Sequence, residues 1–117
     1  MYTNVNNTSA KNVSLSTTFE TGAVDVSQFI NGSFQANFNY TTGNSSGTCK
    51  VQISNDGVNF ADYANSSLAF NSTNATNPII WIFSVFAVKY IKLVFTNVSG
   101  AGGLVSVQQQ LVRPSAK

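Results

Sequence analysis

Hydrophobic and polar residues alternate along much of the chain. The clearest alternation runs from position 33 to position 41, where Gln35, Asn37 and Asn39 separate the apolar or aromatic side chains of Phe34, Ala36, Phe38 and Tyr40. Because successive side chains of a strand point to opposite faces, a period of two indicates a β-strand, whereas a helix would mix the two sets. The pattern therefore predicts a core strand over 33–41.

Similar patterns predict further strands at 13–19, 48–54, 79–83, 89–96 and 104–112, with a weaker strand between 64 and 77. No segment has a helical period. About eight short strands at this spacing are typical of sandwiches, so the predicted fold is an all-β, jelly-roll-like antiparallel β-sandwich. The residues expected to fill its core are Phe34, Phe38, Val51, Ile53, Ile91, Leu93 and Phe95.

The connections between these strands carry turn residues. Residues 42–47 and 99–103 are small, polar and rich in glycine, and each segment is predicted to be the turn of a hairpin. Between them, Asn55-Asp56-Gly57 tolerates positive φ and is predicted to reverse the chain, which would bring Phe60 and Tyr63 inward.

Both ends of the chain lack an alternating pattern. Residues 1–11 are predicted to be a flexible N-terminal arm, residues 12–113 a single β-sandwich domain, and residues 114–117 a C-terminal tail. Such an arm buries too little apolar surface to offset its conformational entropy, so it is expected to order only against a neighbouring subunit or another partner.

Charge is sparse: 9% of the residues are charged and the net charge is +2, against about 25% charged residues in an average domain. The cations form no run or stripe, which argues against a nucleic-acid partner. Weak long-range repulsion between identical copies favours a homo-oligomer.

Candidate catalytic residues are few. The chain has no His, which excludes Ser-His-Asp and Cys-His catalysis and removes the commonest metal ligand. The single cysteine, Cys49, shares a face with Val51 and Ile53 and is interpreted as a small buried hydrophobe. The four acids, Glu20, Asp25, Asp56 and Asp62, are interpreted as turn or surface residues. The protein is therefore predicted not to be an enzyme, with no catalytic, cofactor-binding or metal-binding residue and no cofactor.

Two binding sites remain as alternatives. The spacing of Asp56, Asn59 and Asp62 resembles a calcium site, but a turn capped by the Asp side chain explains it more simply. Flat aromatics beside Asn and Gln suit sugars, so a host-surface glycan could bind in the loops 55–63 and 71–78, near Tyr63, Trp81, Phe83, Phe86 and Tyr90.

Targeting signals are not apparent. The N-terminus is polar and lacks the basic and apolar regions of a secretory signal, which favours synthesis in a host cytoplasm. The most apolar segment, 78–88, is much shorter than the ~20 residues of a membrane-spanning helix, so no membrane span is predicted. Glycosylation is not expected, because Asn-x-Ser/Thr triplets arise by chance in so Asn-rich a chain; examples begin at Asn12, Asn31, Asn39, Asn65, Asn71 and Asn97.

Two segments carry a resemblance that covers residues 33–112. The stretch 51–60, Val-Gln-Ile-Ser-Asn-Asp-Gly-Val-Asn-Phe, and the stretch 89–95, Lys-Tyr-Ile-Lys-Leu-Val-Phe, are followed by Ser-Gly-Ala-Gly-Gly at 99–103. This combination resembles the discoidin, or factor 5/8 C-type, jelly roll, with its Asp-Gly turn and Tyr-centred strand. It also resembles small β-sandwich virion proteins of bacteriophages.

The departures from discoidin domains favour the virion resemblance. The chain is shorter, has Phe60 where discoidin domains usually have Trp, and lacks the cysteine pair that brackets many of them. The resemblance implies a structural virion protein, either a capsid decoration, a minor capsid protein or a spike or tail component. Its partners would be further copies of itself and other virion proteins. The alternative function is a discoidin-like carbohydrate-binding module.

Overall fold

The computed structural model describes residues 2–41, 43–71, 78–100 and 102–114, and these residues contain ten β-strands. In chain order the strands are β1 (Tyr2–Ser14), β2 (Phe19–Glu20), β3 (Val24–Asp25), β4 (Asn31–Asn39), β5 (Ser45–Ser54), β6 (Ala61–Asp62), β7 (Leu68–Asn71), β8 (Ile79–Phe83), β9 (Tyr90–Gly100) and β10 (Leu104–Pro114). The predicted all-β fold is confirmed, with ten strands where about eight were expected.

The strands belong to two antiparallel sheets. The four-stranded sheet has the order β1-β10-β4-β8. The six-stranded sheet has the order β2-β9-β5-β6, with β3 also paired to β9 and β7 also paired to β5. Every pairing is antiparallel, so the chain forms the predicted antiparallel sandwich.

The core lies between the two sheets, where the inward residues of each alternating strand meet. Of the seven predicted core residues, all but Ile53 are buried to 5% exposure or less. Phe38 of β4 lies across the sandwich from the six-stranded sheet, with its ring centroid 5.1 Å from that of Phe70 and 6.1 Å from that of Phe95. Ile53, near the end of β5, is only partly buried and packs against the edge of the core.

Both predicted hairpins are wrong. β4 pairs with β10 and β8, whereas β5 pairs with β9, β6 and β7, so the connection at 40–44 crosses from one sheet to the other. The connection between β9 and β10 crosses in the same way. The reason is that glycine and polarity permit a chain reversal but do not decide whether the next strand pairs with the last one or faces it across the core.

The two crossing connections lie against each other at one end of the sandwich. The Gly102 N–H donates to the Asn44 carbonyl at 3.1 Å, and the Gly103 N–H donates to Ser45 Oγ at 2.9 Å. A Cβ placed on Gly43, whose φ is +147°, would lie 2.8 Å from the Gly102 Cα. The glycines of both segments therefore permit a close backbone approach between two connections.

The predicted flexible arm is wrong for residues 2–11. These residues belong to β1, a 13-residue strand that pairs with β10 along its length. Ser9 donates to the buried side-chain amide oxygen of Gln109, and Ala10 is buried in the core. The apolar residues of this segment are few and isolated, so the sequence pattern does not predict this polar edge strand. Its backbone pairing with β10 is what orders it.

β1 departs from regular pairing only near its C-terminal end. The register shifts between Thr8 and Ala10 and again between Ala10 and Val13. Asn12 has a φ of 51° there, and its N–H donates to Ser106 Oγ at 2.9 Å. The predicted tail at 114–117 begins within β10, which ends at Pro114, and its other residues lie outside the described part of the chain.

Candidate functional site

The charged side chains are unequally divided between the two sheets. Glu20, Asp25, Lys50, Asp62 and Lys92 lie on strands of the six-stranded sheet. Asp56 and Lys89 lie in loops that adjoin its strands. Among the residues that the structure describes, only Lys11 and Arg113 lie on strands of the four-stranded sheet.

Neither of these two cations lies in the regular outward rows of the four-stranded sheet. Lys11 falls in the irregular part of β1, between the paired residues Ala10 and Val13. Arg113 follows the inward alternation of β10, beyond the buried Leu111. The outward face of this sheet therefore has no charged residue in its paired rows.

Amide and hydroxyl side chains occupy that outward face instead. Directly paired residues of antiparallel strands project to the same side of a sheet. Thr8, Gln108 and Gln35 thus form one row across β1, β10 and β4, and Asn6, Gln110 and Ser33 form the next. We call this surface the amide face and define it as Asn4, Asn6, Thr8, Ser33, Gln35, Asn37, Ser106, Gln108 and Gln110.

The amide face contains a shallow depression of about 350 Å³. Its lining is entirely uncharged and consists of Asn6, Asn7, Thr8, Ser33, Gln35, Gln108, Gln109 and Gln110. The Gln35 side-chain amide donates to Asn37 Oδ1 at 2.9 Å, which holds one outward pair on β4. The depression presents donors and acceptors without a charge, an arrangement suited to a neutral polar ligand or to the backbone and amides of a protein partner.

The border of the amide face is apolar on the β8 side. Ile80 and Ile82 pair with Gln35 and Ser33 and are 48% and 79% exposed. A second depression, about 360 Å³, continues from the first through Ser33 and Gln110 to Ile82 and Val112. Two exposed isoleucines beside neutral amides form a surface that is less costly to dehydrate than a charged one.

Asp56 acts as a turn residue in this structure. Its Oδ1 accepts from the backbone N–H groups of Asn59 at 2.8 Å and Val58 at 2.9 Å. Ser54 Oγ also donates to Oδ1, and Asn59 Nδ2 donates to Oδ2, each at 2.9 Å. These hydrogen bonds hold the pKa of the Asp56 carboxyl well below its usual range, and the largest contribution comes from the Asn59 N–H.

This turn predicts a specific acid sensitivity. A carboxylate with a lowered pKa stabilises the fold above its unfolded-state pKa, about 4, and the stabilisation is lost as the pH falls towards the folded-state pKa. Asp56→Ala should therefore lower the melting temperature at pH 7 and make it fall less between about pH 4 and pH 2. Val58→Ala, which keeps the N–H that Asp56 accepts, is the control. An identical pH profile for the parent and Asp56→Ala would contradict this role.

Asp62 and Glu20 are also held by polar partners. Asp62 accepts from Gln52 Nε2 at 2.9 Å and from Lys50 Nζ at 3.0 Å, and both interactions lower its pKa. Glu20 pairs with Lys92 at 2.8 Å. Within the described ranges no three Cys, Asp or Glu side chains are grouped so as to hold a metal ion.

The aromatic residues considered for sugar binding belong mostly to the core. Trp81 is 8% exposed, and its indole N–H donates to the Ser66 carbonyl at 2.9 Å. Phe83 is buried, with its ring centroid 5.2 Å from that of Tyr63 and 5.6 Å from that of Phe86. Tyr63 contacts Phe83 but is 44% exposed, so it turns inward only in part.

The loop residues around this cluster make local contacts. The Lys92 ammonium lies 4.2 Å from the Phe60 ring centroid, and Phe60 is partly buried. A Cβ on Gly57 would lie 3.1 Å from the Tyr90 ring, so that ring packs on the turn. The remaining loop of the glycan hypothesis, 71–78, lies largely outside the described residues, which omit 72–77.

Cys49 is buried as predicted. Its side chain is fully enclosed, its Sγ lies 3.5 Å from the Leu68 carbonyl, and burial raises the pKa of its thiol to about 12. A thiol in this state is a poor nucleophile. In the described residues, no helix is long and apolar enough to span a membrane.

Sequence reasoning missed the amide face. The outward residues of 33–41 were recognised as polar, but the alternation of β1 was not. β1 pairs with β10, which in turn pairs with β4, and this order places the β1 amides in the same rows. A usable signal was that the segments 31–39, 79–83 and 104–112, which form three of the four strands of this sheet, contain no charged residue.

Comparisons with known proteins bear on the fold. No protein-family model matches the sequence, and neither does any curated protein. Among solved structures, the SPBc2 prophage-derived protein YomS is similar with a TM-score of 0.68 and 15% identity, over 96% of this chain and 95% of that chain. The PBSX exported protein XepA is similar with a TM-score of 0.69 and 10% identity, over 97% of this chain.

The extent of the two similarities differs. This chain spans nearly the whole of YomS but only 38% of XepA. At such low identity a similarity establishes architecture and leaves function to be argued from the site. The resemblance inferred from the sequence is confirmed in this sense: the chain has the β-sandwich fold of YomS and XepA.

Proposed function

We propose that this protein is a structural, non-enzymatic component of a bacteriophage particle that acts by self-assembly and by binding other virion proteins through the amide face. It would be a capsid decoration, a minor capsid protein or a spike or tail component, made in the host cytoplasm and incorporated into the virion. The observation that carries the proposal is the absence of charge from the paired rows of one whole sheet face.

The energetics of protein interfaces support this assignment. Their buried centres are depleted of Lys, Glu and Asp, because a desolvated charge needs a matched partner. Amides and hydroxyls can exchange water for partner groups at lower cost. The amide face meets this requirement, whereas the six-stranded sheet has the ion pairs Lys50–Asp62 and Lys92–Glu20.

The fold similarities support a phage context. One of the two similar structures, YomS, is named as a prophage-derived protein, and it matches this chain along nearly its full length. Among the described residues, the carboxylates of Asp56, Asp62 and Glu20 are engaged by hydrogen bonds or an ion pair, and the Cys49 thiol is buried. A particle protein needs only a stable scaffold and a surface that binds its neighbours.

The test is co-sedimentation of the purified protein with particles of the parent phage. We expect the parent chain to sediment with particles and Gln35→Lys/Gln108→Lys to remain in the supernatant, because two ammonium groups would enter one row of the amide face. The control is Val58→Lys/Val98→Lys, which adds the same charge at residues 80% and 74% exposed outside that face. Equal sedimentation of both variants would contradict the role of the amide face.

A neutral glycan is the second candidate ligand. The observation that favours it is the depression of about 350 Å³ lined only by Asn, Gln, Ser and Thr, since such groups bond sugar hydroxyls. Binding of neutral oligosaccharides should then be detectable by calorimetry and weakened by Gln110→Ala, with Val58→Ala as control. If no oligosaccharide binds while the protein sediments with particles, the glycan function is rejected.

A further inference from the structure

β1 is much longer than the other edge strands of the two sheets. The six-stranded sheet ends in β2 and β6, two residues each, with the short β3 and β7 alongside. The other edge of the four-stranded sheet is β8, with five residues. β1 is an edge strand of 13 residues. Proteins commonly keep their edge strands short to prevent pairing with another chain, and the length of β1 gives no such protection.

The N-terminal half of β1 also lacks the other usual protections. Residues 2–8 contain no charged residue and no proline, and they pair without a register shift to residues 114–108 of β10. The bulge and Lys11 come only after Thr8. In an antiparallel ladder every second residue directs its N–H and C=O away from its partner strand, so one side of this regular segment can accept another strand. No other described strand pairs with β1.

We propose that the outer edge of β1 is a homodimer interface, at which residues 2–8 pair antiparallel with residues 8–2 of a second copy. This inference rests on the proposed function, which it deepens by naming the first partner in assembly. The two copies are related by a twofold axis at Val5, and their four-stranded sheets join into one continuous sheet.

The occupant is a second copy because the segment is complementary to itself. About a twofold axis at Val5, Asn4 lies opposite Asn6 of the other copy and Tyr2 lies opposite Thr8, all on the side of the amide face. Side-chain amides can bond to each other as donor and acceptor in such pairs. On the inward side Val5, which is only partly buried and pairs with Leu111, meets its own equivalent. Since residues 2–8 are uncharged, identical strands do not repel each other.

Light scattering of the full chain over a range of concentrations is the first test. The expected mass is twice the 12.5 kDa of the chain. Asn4→Lys/Asn6→Lys should raise the dimer dissociation constant at least about tenfold, because it brings like charges together at the interface. Val58→Lys/Val98→Lys adds the same charge at exposed positions outside the four-stranded sheet and should leave the dimer intact. A monomeric parent, or equal dimerisation in all three proteins, would overturn the proposal.

Cysteine cross-linking tests the register. Under oxidising conditions Val5→Cys should give a covalent dimer, since the two positions face each other across the axis. Val98→Cys, exposed on the six-stranded sheet, should not, and buried Cys49 does not react. No cross-link at position 5, or equal cross-linking at position 98, rejects this register. If the protein is a dimer but does not sediment with particles, the proposed function is rejected and the dimer interface is supported. If it is a monomer that sediments with particles, the dimer interface is rejected and the proposed function is supported.

Discussion

Replacing Phe38 with alanine is expected to lower the free energy of unfolding by about 3–5 kcal/mol. The side chain is 5% exposed and lies in the centre of an aromatic cluster that joins the sheets. Its ring stacks on Phe70 and Tyr40 at centroid distances of 5.1 Å and 6.2 Å, and meets Phe95 edge-on. Alanine removes these contacts and leaves a cavity that two hydrogen-bonded sheets cannot readily close.

Chemical denaturation monitored by circular dichroism measures this loss. Phe38→Leu is the matched control: it keeps much of the buried volume and should cost less than the alanine variant. The transition slope should stay constant, which shows that stability and not the extent of unfolding has changed. An alanine variant as stable as the parent would mean that Phe38 does not join the sheets.

Replacing Gly47 with alanine is expected to cost about 3 kcal/mol or more, at the upper end of the range for overpacking. A Cβ at this position would lie 1.9 Å from the Thr96 carbonyl oxygen and 3.0 Å from the Phe70 ring. The first contact is with backbone, so the clash is relieved only if β5 separates from β9. Gly47 lies directly after the register shift that follows Ser46, at the place where these strands approach closely.

Thermal unfolding of Gly47→Ala beside Gly22→Ala checks the argument. A Cβ on Gly22 meets no atom within 4 Å. The free energy of unfolding of Gly22→Ala should therefore equal that of the parent to within a few tenths of a kcal/mol, or exceed it slightly because alanine restricts the unfolded chain. Both variants make the same chemical change. Equal melting temperatures for the two variants would contradict the close approach of β5 and β9 at Gly47.

The strands themselves were largely predictable from the sequence. The segments 33–41, 48–54, 79–83, 89–96 and 104–112 correspond to β4, β5, β8, β9 and β10, with shifts of a few residues at the ends. These strands are half-buried, so the alternation of their side chains records which face is inward. For the same reason the burial of Cys49 and of six of the seven expected core residues could be predicted.

β1 and the amide face were not predictable in this way. A strand whose stability comes from backbone pairing and whose two faces are both mainly polar leaves little hydrophobic signal. Its contribution to the amide face depends on the register that places Asn6 beside Gln110 and Thr8 beside Gln108. Shifting that register by one residue would turn the same amides to the opposite face.

The sequence by itself determined that the chain is all-β, which residues alternate inward, and where the chain can reverse. Only the tertiary structure decided that β4 and β5 face each other across the core, and likewise β9 and β10. The physical reason is that alternation and turn chemistry act between neighbours in sequence. The choice of sheet depends on packing two inward faces together, and those contacts join residues far apart in the chain.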